Sequence, residues 1–183
     1  MRNIKRYREL FEAQTELTPE QMEWLDKCTR GKWTLNPQTG LVDVDGDFNC
    51  SRQDLTDFKG VRFGVVRGDF ICSNNWLTSL EGAPQSVGWD FDCSENQLTS
   101  LEGAPQEVGG NFNCYVNPVS DSVLESLYKK MQSGMSWPDA VVEEWDSIES
   151  EEDKILLAPH NLNLSPEELK GYQAIARLRK RII

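Results

Sequence analysis

The 183-residue chain carries 19 basic and 30 acidic side chains, a formal net charge of −11, with 38% hydrophobic and 27% charged residues. That composition belongs to a folded domain with a modest core and excludes a disordered chain. No apolar run reaches the ~18–20 residues that cross a bilayer, so no membrane-spanning helix and no membrane partner are expected.

The opening residues Met1, Arg2, Ile4, Lys5 and Arg6 include basic groups with no apolar run behind them, so no secretory leader is expected and the predicted location is cytoplasmic. Residues 3–13 place Ile4, Tyr7, Leu10 and Phe11 on one face of a predicted helix. Thr18-Pro19-Glu20-Gln21 reads as a second helix start, with Pro at the first helical position and Gln at the third. Met22, Leu25 and Cys28 are expected to face inward from it. Residues 32–44 predict a hairpin turning near Asn36-Pro37-Gln38-Thr39-Gly40, with Trp33, Leu35, Leu41 and Val44 covering the segment after it.

From residue 44 to residue 119 the chain repeats itself. Residues 66–86 read VRGDFICSNNWLTSLEGAPQS and residues 87–107 read VGWDFDCSENQLTSLEGAPQE. Residues 44–65 are a diverged copy, and residues 108–119 begin another copy and stop. Cys50, Cys72, Cys93 and Cys114 recur with this period, so their spacing comes from the repeat and not from zinc ligation or a disulfide framework. In F-x-C the residues alternate as on a strand. Phe48, Phe70, Phe91 and Phe112 are expected to stack in one interior column and the four cysteines in the next, as small buried hydrophobes. Gln53, Asn75, Asn96 and Asn117, three residues further on, suit an internal ladder of amide bonds to the backbone. Leu55, Leu77, Leu98 and Val119, then Phe58, Leu80 and Leu101, close the apolar layer. Gly82 with Pro84 and Gly103 with Pro105 make the return turn. A single coil cannot bury its own apolar side, so stacking completes the core.

The pattern V-x-x-x-F-x-C-x-x-N-x-L-x-x-L-x-G-x-P resembles the leucine-rich repeat, with F-x-C where L-x-L usually stands. Its wording is also similar to short repeat proteins encoded by bacteriophages. The first resemblance implies a leucine-rich-like β-solenoid; the sequence departs from that family in its Phe/Cys core and in having only about four coils, so a short, gently curved sheet is expected instead of a deep horseshoe. The second implies a phage origin, hence the host-cell cytoplasm and a host-protein partner, with a defence component as one candidate.

After Pro118 the pattern becomes helical. Leu124, Leu127, Tyr128 and Met131 share one predicted helix face, and Trp137-Pro138 opens another helix with Val141, Trp145 and Ile148 inward. A third begins at Ser165-Pro166 and runs to about Arg181, carrying Leu169, Tyr172, Ile175 and Leu178. The predicted organisation is α+β: an N-terminal cap over 1–43, repeats over 44–119, and a C-terminal helical cap or lobe over 120–183, the first of whose helices should cover the last coil.

Charge is one-sided. Between Arg67 and Lys129 there is no Lys or Arg, yet nine carboxylates fall there. Such a surface repels phosphate backbones, so direct nucleic-acid binding is not expected and a protein partner with a basic surface is. Outward-pointing repeat positions tolerate variation, so departures there are candidates for recognition. The predicted binding face comprises Asp47, Asp69, Ile71, Trp76, Trp89, Asp90, Asp92, Asn113 and Tyr115. An alternative site is the acidic run Asp139, Glu143, Glu144, Asp146, Glu149, Glu151, Glu152 and Asp153, which contains no base and could imitate nucleic-acid phosphates to inhibit a nucleic-acid enzyme. Basic residues gather instead at the ends, as Arg2, Lys5, Arg6 and Arg8, and as Arg177, Arg179, Lys180 and Arg181.

No catalytic residue, cofactor or metal is predicted. His160 is the one histidine and has no nucleophile motif beside it. Asp43, Asp45 and Asp47 alternate as calcium ligands can, but the glutamate that closes such loops is missing and the simpler reading is outward strand residues.

Overall fold

The computed structural model describes residues 16–179. The predicted helix over 3–13 and the basic residues at 2, 5, 6, 8, 180 and 181 lie outside them. Thr18 opens helix α1 (Pro19–Thr29) through a capping box. Its hydroxyl accepts the Gln21 N–H at 3.2 Å, while Gln21 Oε1 accepts the Thr18 N–H at 2.8 Å. The helix stops at Arg30, in the left-handed conformation with φ 57°. Leu25 and Cys28 are buried as predicted, and so is Trp24. Met22 is instead 38% exposed. At 100° per residue it lies about a third of a turn from the face that Trp24 and Cys28 turn inward.

The hairpin forms as β1 (Trp33–Leu35) and β2 (Val42–Val44), antiparallel, with Asn36 Oδ1 accepting the N–H groups of Gln38 and Thr39 in the turn. The solenoid adds β3 (Phe48–Asn49), β4 (Phe63–Val66), β5 (Phe70–Ile71), β6 (Ser86–Val87), β7 (Phe91–Asp92), β8 (Glu107–Val108) and β9 (Phe112–Asn113). They form two parallel ladders, β2-β4-β6-β8 with β1 at its edge and β3-β5-β7-β9. This is a β-solenoid of about three turns. The resemblance implies one sheet; the chain forms two, because the valines opening each repeat pair among themselves as well (Val44 with Val66, Val66 with Val87, Val87 with Val108). A tight corner separates the two strands of a turn. At Gly88 and Gly109 a Cβ would collide with the carbonyl oxygen of the coil before, Arg67 and Gly88 respectively, so at these two corners glycine lets the coils nest.

The interior columns form as the repeat predicts. Phe48, Phe70, Phe91 and Phe112 stack with centroids 4.8, 5.5 and 5.3 Å apart and near-parallel rings. Burial of each phenyl contributes about 2–3 kcal/mol and each aromatic pair about 0.5–1.5 kcal/mol more. The five cysteines are buried and reduced. The amide ladder is complete over three rungs. Asn96, for example, donates to Cys72 O and Cys93 O, both at 3.1 Å, and accepts the Leu77 N–H at 3.0 Å. Gln53 departs from it. The neighbour on its side is α1, not a coil, and the longer side chain reaches across to accept Trp24 Nε1–H at 2.8 Å and to donate to Cys28 Sγ at 3.6 Å.

Helix α2 (Asp121–Gln132) covers the last coil, with Tyr128 stacked on Phe112 at 3.5 Å. Helix α3 (Trp137–Glu144) ends earlier than its apolar pattern, which continues through a 3-10 turn to buried Ile148. Helix α4 (Glu151–Leu157), a second 3-10 turn at Ala158–His160 and helix α5 (Pro166–Arg179) complete the described chain. Leu124, Leu127, Trp137, Val141, Ile148 and Leu157 belong to the same continuous core as the coils. On α5, Ile175 is 41% exposed instead of packed inward. No helix among the described residues is long and apolar enough to cross a membrane.

Candidate partner-binding surface

The column before each phenylalanine sits at the corner between the two sheets. Asp47 Oδ1 accepts the Asp69 N–H at 3.0 Å, Asp69 Oδ1 the Asp90 N–H at 3.0 Å, and Asp90 Oδ1 the Asn111 N–H at 2.6 Å. These aspartates therefore tie each coil to the next as well as presenting charge. The last coil has no successor to supply an N–H. There the position is Asn111, whose amide turns back to Asp90 at 3.2 Å, so no carboxylate is left without a donor. Asp43 does the same work in the first sheet, accepting the Val65 N–H at 2.8 Å.

The column between Phe and Cys is Asn49, Ile71, Asp92 and Asn113, held in register by the second sheet. Asn49 accepts from Ser51, and Asp92 from Ser94, in local turns. Tyr115 stands where earlier coils have serine and is 45% exposed. The second sheet thus brings Asp47, Asp69, Asp90, Ile71, Asp92, Asn113 and Tyr115 onto one side of the solenoid. The two tryptophans flank it on opposite edges. Trp89, 68% exposed, is on the corner leading into the sheet, and Trp76, 55% exposed, lies past the amide ladder.

Beside Trp76 is a groove of about 260 Å³ lined by Asp54, Asn74, Trp76, Glu95, Gln97 and Val116. Of these, only Trp76 belongs to the binding face expected from the sequence. Asp54 and Gln97 hold its repeat position on the neighbouring coils, and Asn74, Glu95 and Val116 stand two residues earlier in the repeat. Arg52, Asn74, Glu95 and Val116 occupy equivalent positions with φ of 57, 57, 54 and 56°. Left-handed backbone is costly for a β-branched residue. Val116 adopts it while 68% exposed. A valine replacing the polar residues of the earlier coils was the legible signal; its backbone conformation was not.

The acidic run over 139–153 does not stand together as one free array. Asp153 is 2% exposed and accepts from both the N–H and hydroxyl of Ser120, at 2.8 and 2.6 Å, closing the start of α2. Lys130 pairs with Glu143 at 2.9 Å and with Glu144 at 3.3 Å. Asp139 bonds Ser136 at the start of α3. Asp146, Glu149, Glu151 and Glu152 are exposed.

Burial raises every thiol, Cys114 to about 12 and Cys72 and Cys93 well beyond the ordinary range, so these are structural side chains and not nucleophiles. His160 packs its ring against Trp137 at 5.8 Å, and burial holds its pKa below the usual value. Asp45 pairs with Arg67 at 3.6 Å, so Asp43, Asp45 and Asp47 each have a separate engagement. Among the described residues no group of three or more His, Cys, Asp or Glu is disposed to hold a metal ion. A comparison with protein families, with curated proteins and with solved structures returns no match for this chain.

Proposed function

We propose that this protein is an interaction module whose acidic solenoid face binds a protein with a basic surface. The observation that carries the reading is the convergence on one side of the second sheet of Asp69, Asp90 and Asp92 with Ile71 and Tyr115, all in the stretch of chain between Arg67 and Lys129 that holds no base, with Asp47 extending the column toward the N-terminal cap. Acids beside an exposed tyrosine and a half-buried isoleucine suit partner recognition, the charge steering encounter and the apolar groups supplying contact area. The likeness of the repeat to leucine-rich and phage-encoded repeat proteins supports a host protein as partner, and a defence component is the first class to try. No catalytic role is proposed.

The second reading, an inhibitor that imitates nucleic acid through residues 139–153, is weakened by the internal engagement of Asp139, Glu143, Glu144 and Asp153. Affinity capture from a bacterial lysate, washed at low and at high salt, tests the proposal. One protein retained at low salt and released at high salt is the expected result. A partner insensitive to salt would overturn it. A partner that DNA displaces, and that the neutralised 139–153 variant no longer holds, would favour the second reading.

A further inference from the structure

We propose that the groove beside Trp76 receives one arginine side chain of the protein partner. This rests on the reading of the solenoid as an acidic binder and names the contact that gives it specificity. Trp76 donates its indole N–H to Asp54 Oδ1 at 3.3 Å, which orients the ring, yet 55% of its surface stays open. One rung on, Glu95 Oε2 accepts from Asn74 Nδ2 at 2.6 Å, which fixes that carboxylate at the groove wall. Val116, 68% exposed, lies at the next equivalent position and lines the far end.

These parts match an arginine in order. A planar guanidinium stacks on an indole face, its N–H fork reaches carboxylates, and its aliphatic stem lies along an apolar side chain. Lysine lacks both the plane and the fork. The groove is lined by two carboxylates and by no base, Arg52 on the preceding rung not being among the lining residues. The exposed valine is held at φ 56°, where asparagine or glycine would be easier. The coil stack does not use its side chain, whereas an arginine stem would.

The probe is a blocked Gly-Arg-Gly tripeptide, with its citrulline counterpart as the neutral isostere, titrated into nitrogen-15-labelled full-length protein at low salt. The Trp76 indole N–H signal, assigned through Trp76→Phe, is expected to shift toward saturation with a dissociation constant on the order of 30–300 mM, the range of one exposed cation–π contact with an ion pair. Citrulline should leave it in place. Asp54→Asn with Glu95→Gln keeps both internal hydrogen-bond acceptors and should weaken the shift about fivefold. Equal shifts with citrulline, or an equal response of the Trp89 indole, would overturn the groove. If Trp76→Ala still holds a captured partner at full affinity, while neutralising the acidic face releases that partner, the arginine contact falls and the acidic-face reading stands.

Discussion

Asn75, Asn96 and Asn117 each donate to two cysteine carbonyls and accept a backbone N–H from the coil before. Replacing Asn96 by Ala strands those buried groups. At about 1–3 kcal/mol for each unsatisfied group, partly relieved by relaxation, the loss should be about 3 kcal/mol. Calorimetry should then record a melting temperature lower by roughly 6–12 °C, and an unchanged value would refute the ladder's role. The thiols give a second test. All five should resist a disulfide reagent in the native protein at mildly alkaline pH and react together on unfolding, because burial holds each in its neutral form. Fast native labelling would place them outside the core. At this scale the sequence was legible wherever a residue type recurred. It was least so at Gln53 and the aspartate column, whose hydrogen bonds depend on which element lies next along the stack.

At the scale of elements, the repeat revealed the Phe-Cys strand but not the valine strand beside it. Two residues of strand leave too short an alternation to read, and the corner that separates the sheets depends on close backbone approach. Gly88→Ala tests that corner. Its Cβ would collide with the Arg67 carbonyl, so the corner must open and the β4–β6 pairing slacken. A loss of about 1–3 kcal/mol in denaturant unfolding is expected, the range for overpacking a tight site. The terminal helices offer a pH test. The imidazole of His160 is held neutral against Trp137, with its pKa below the unfolded value of 6.5 and the Glu102 charge opposing that shift only in part. The unfolded chain therefore takes up a proton first, and this contribution to stability is full above pH 6.5 and is lost as pH falls below it. Melting temperatures of wild type and His160→Gln should converge on acidification. Parallel curves would remove His160 as the cause.

For the whole molecule, the caps matter as much as the coils. Asp121 Oδ1 accepts the Val116 N–H at 3.0 Å, the position that in the coil before bonds to the next coil's carbonyl, and Tyr128 covers the Phe112 ring. A chain ending at residue 119 should therefore expose that ring and aggregate, whereas deletion of residues 87–107, one whole coil, should leave a folded protein with one rung fewer. The need for such caps was implied by the repeat; their internal arrangement was not, because the acidic stretch over 139–153 gives no hint that Asp153 turns inward to Ser120. The measurement that bears most directly on function is the affinity of Asp69→Asn/Asp90→Asn/Asp92→Asn for the captured partner. The chain already places asparagine in both columns, at Asn111 and at Asn49 and Asn113, so the variant keeps its fold and its internal acceptors while losing three charges. Affinity should fall about tenfold at low salt, at about 0.5 kcal/mol per charge, with the difference vanishing at high salt. Equal affinity of variant and wild type at low salt would contradict an acidic solenoid face as the binding surface.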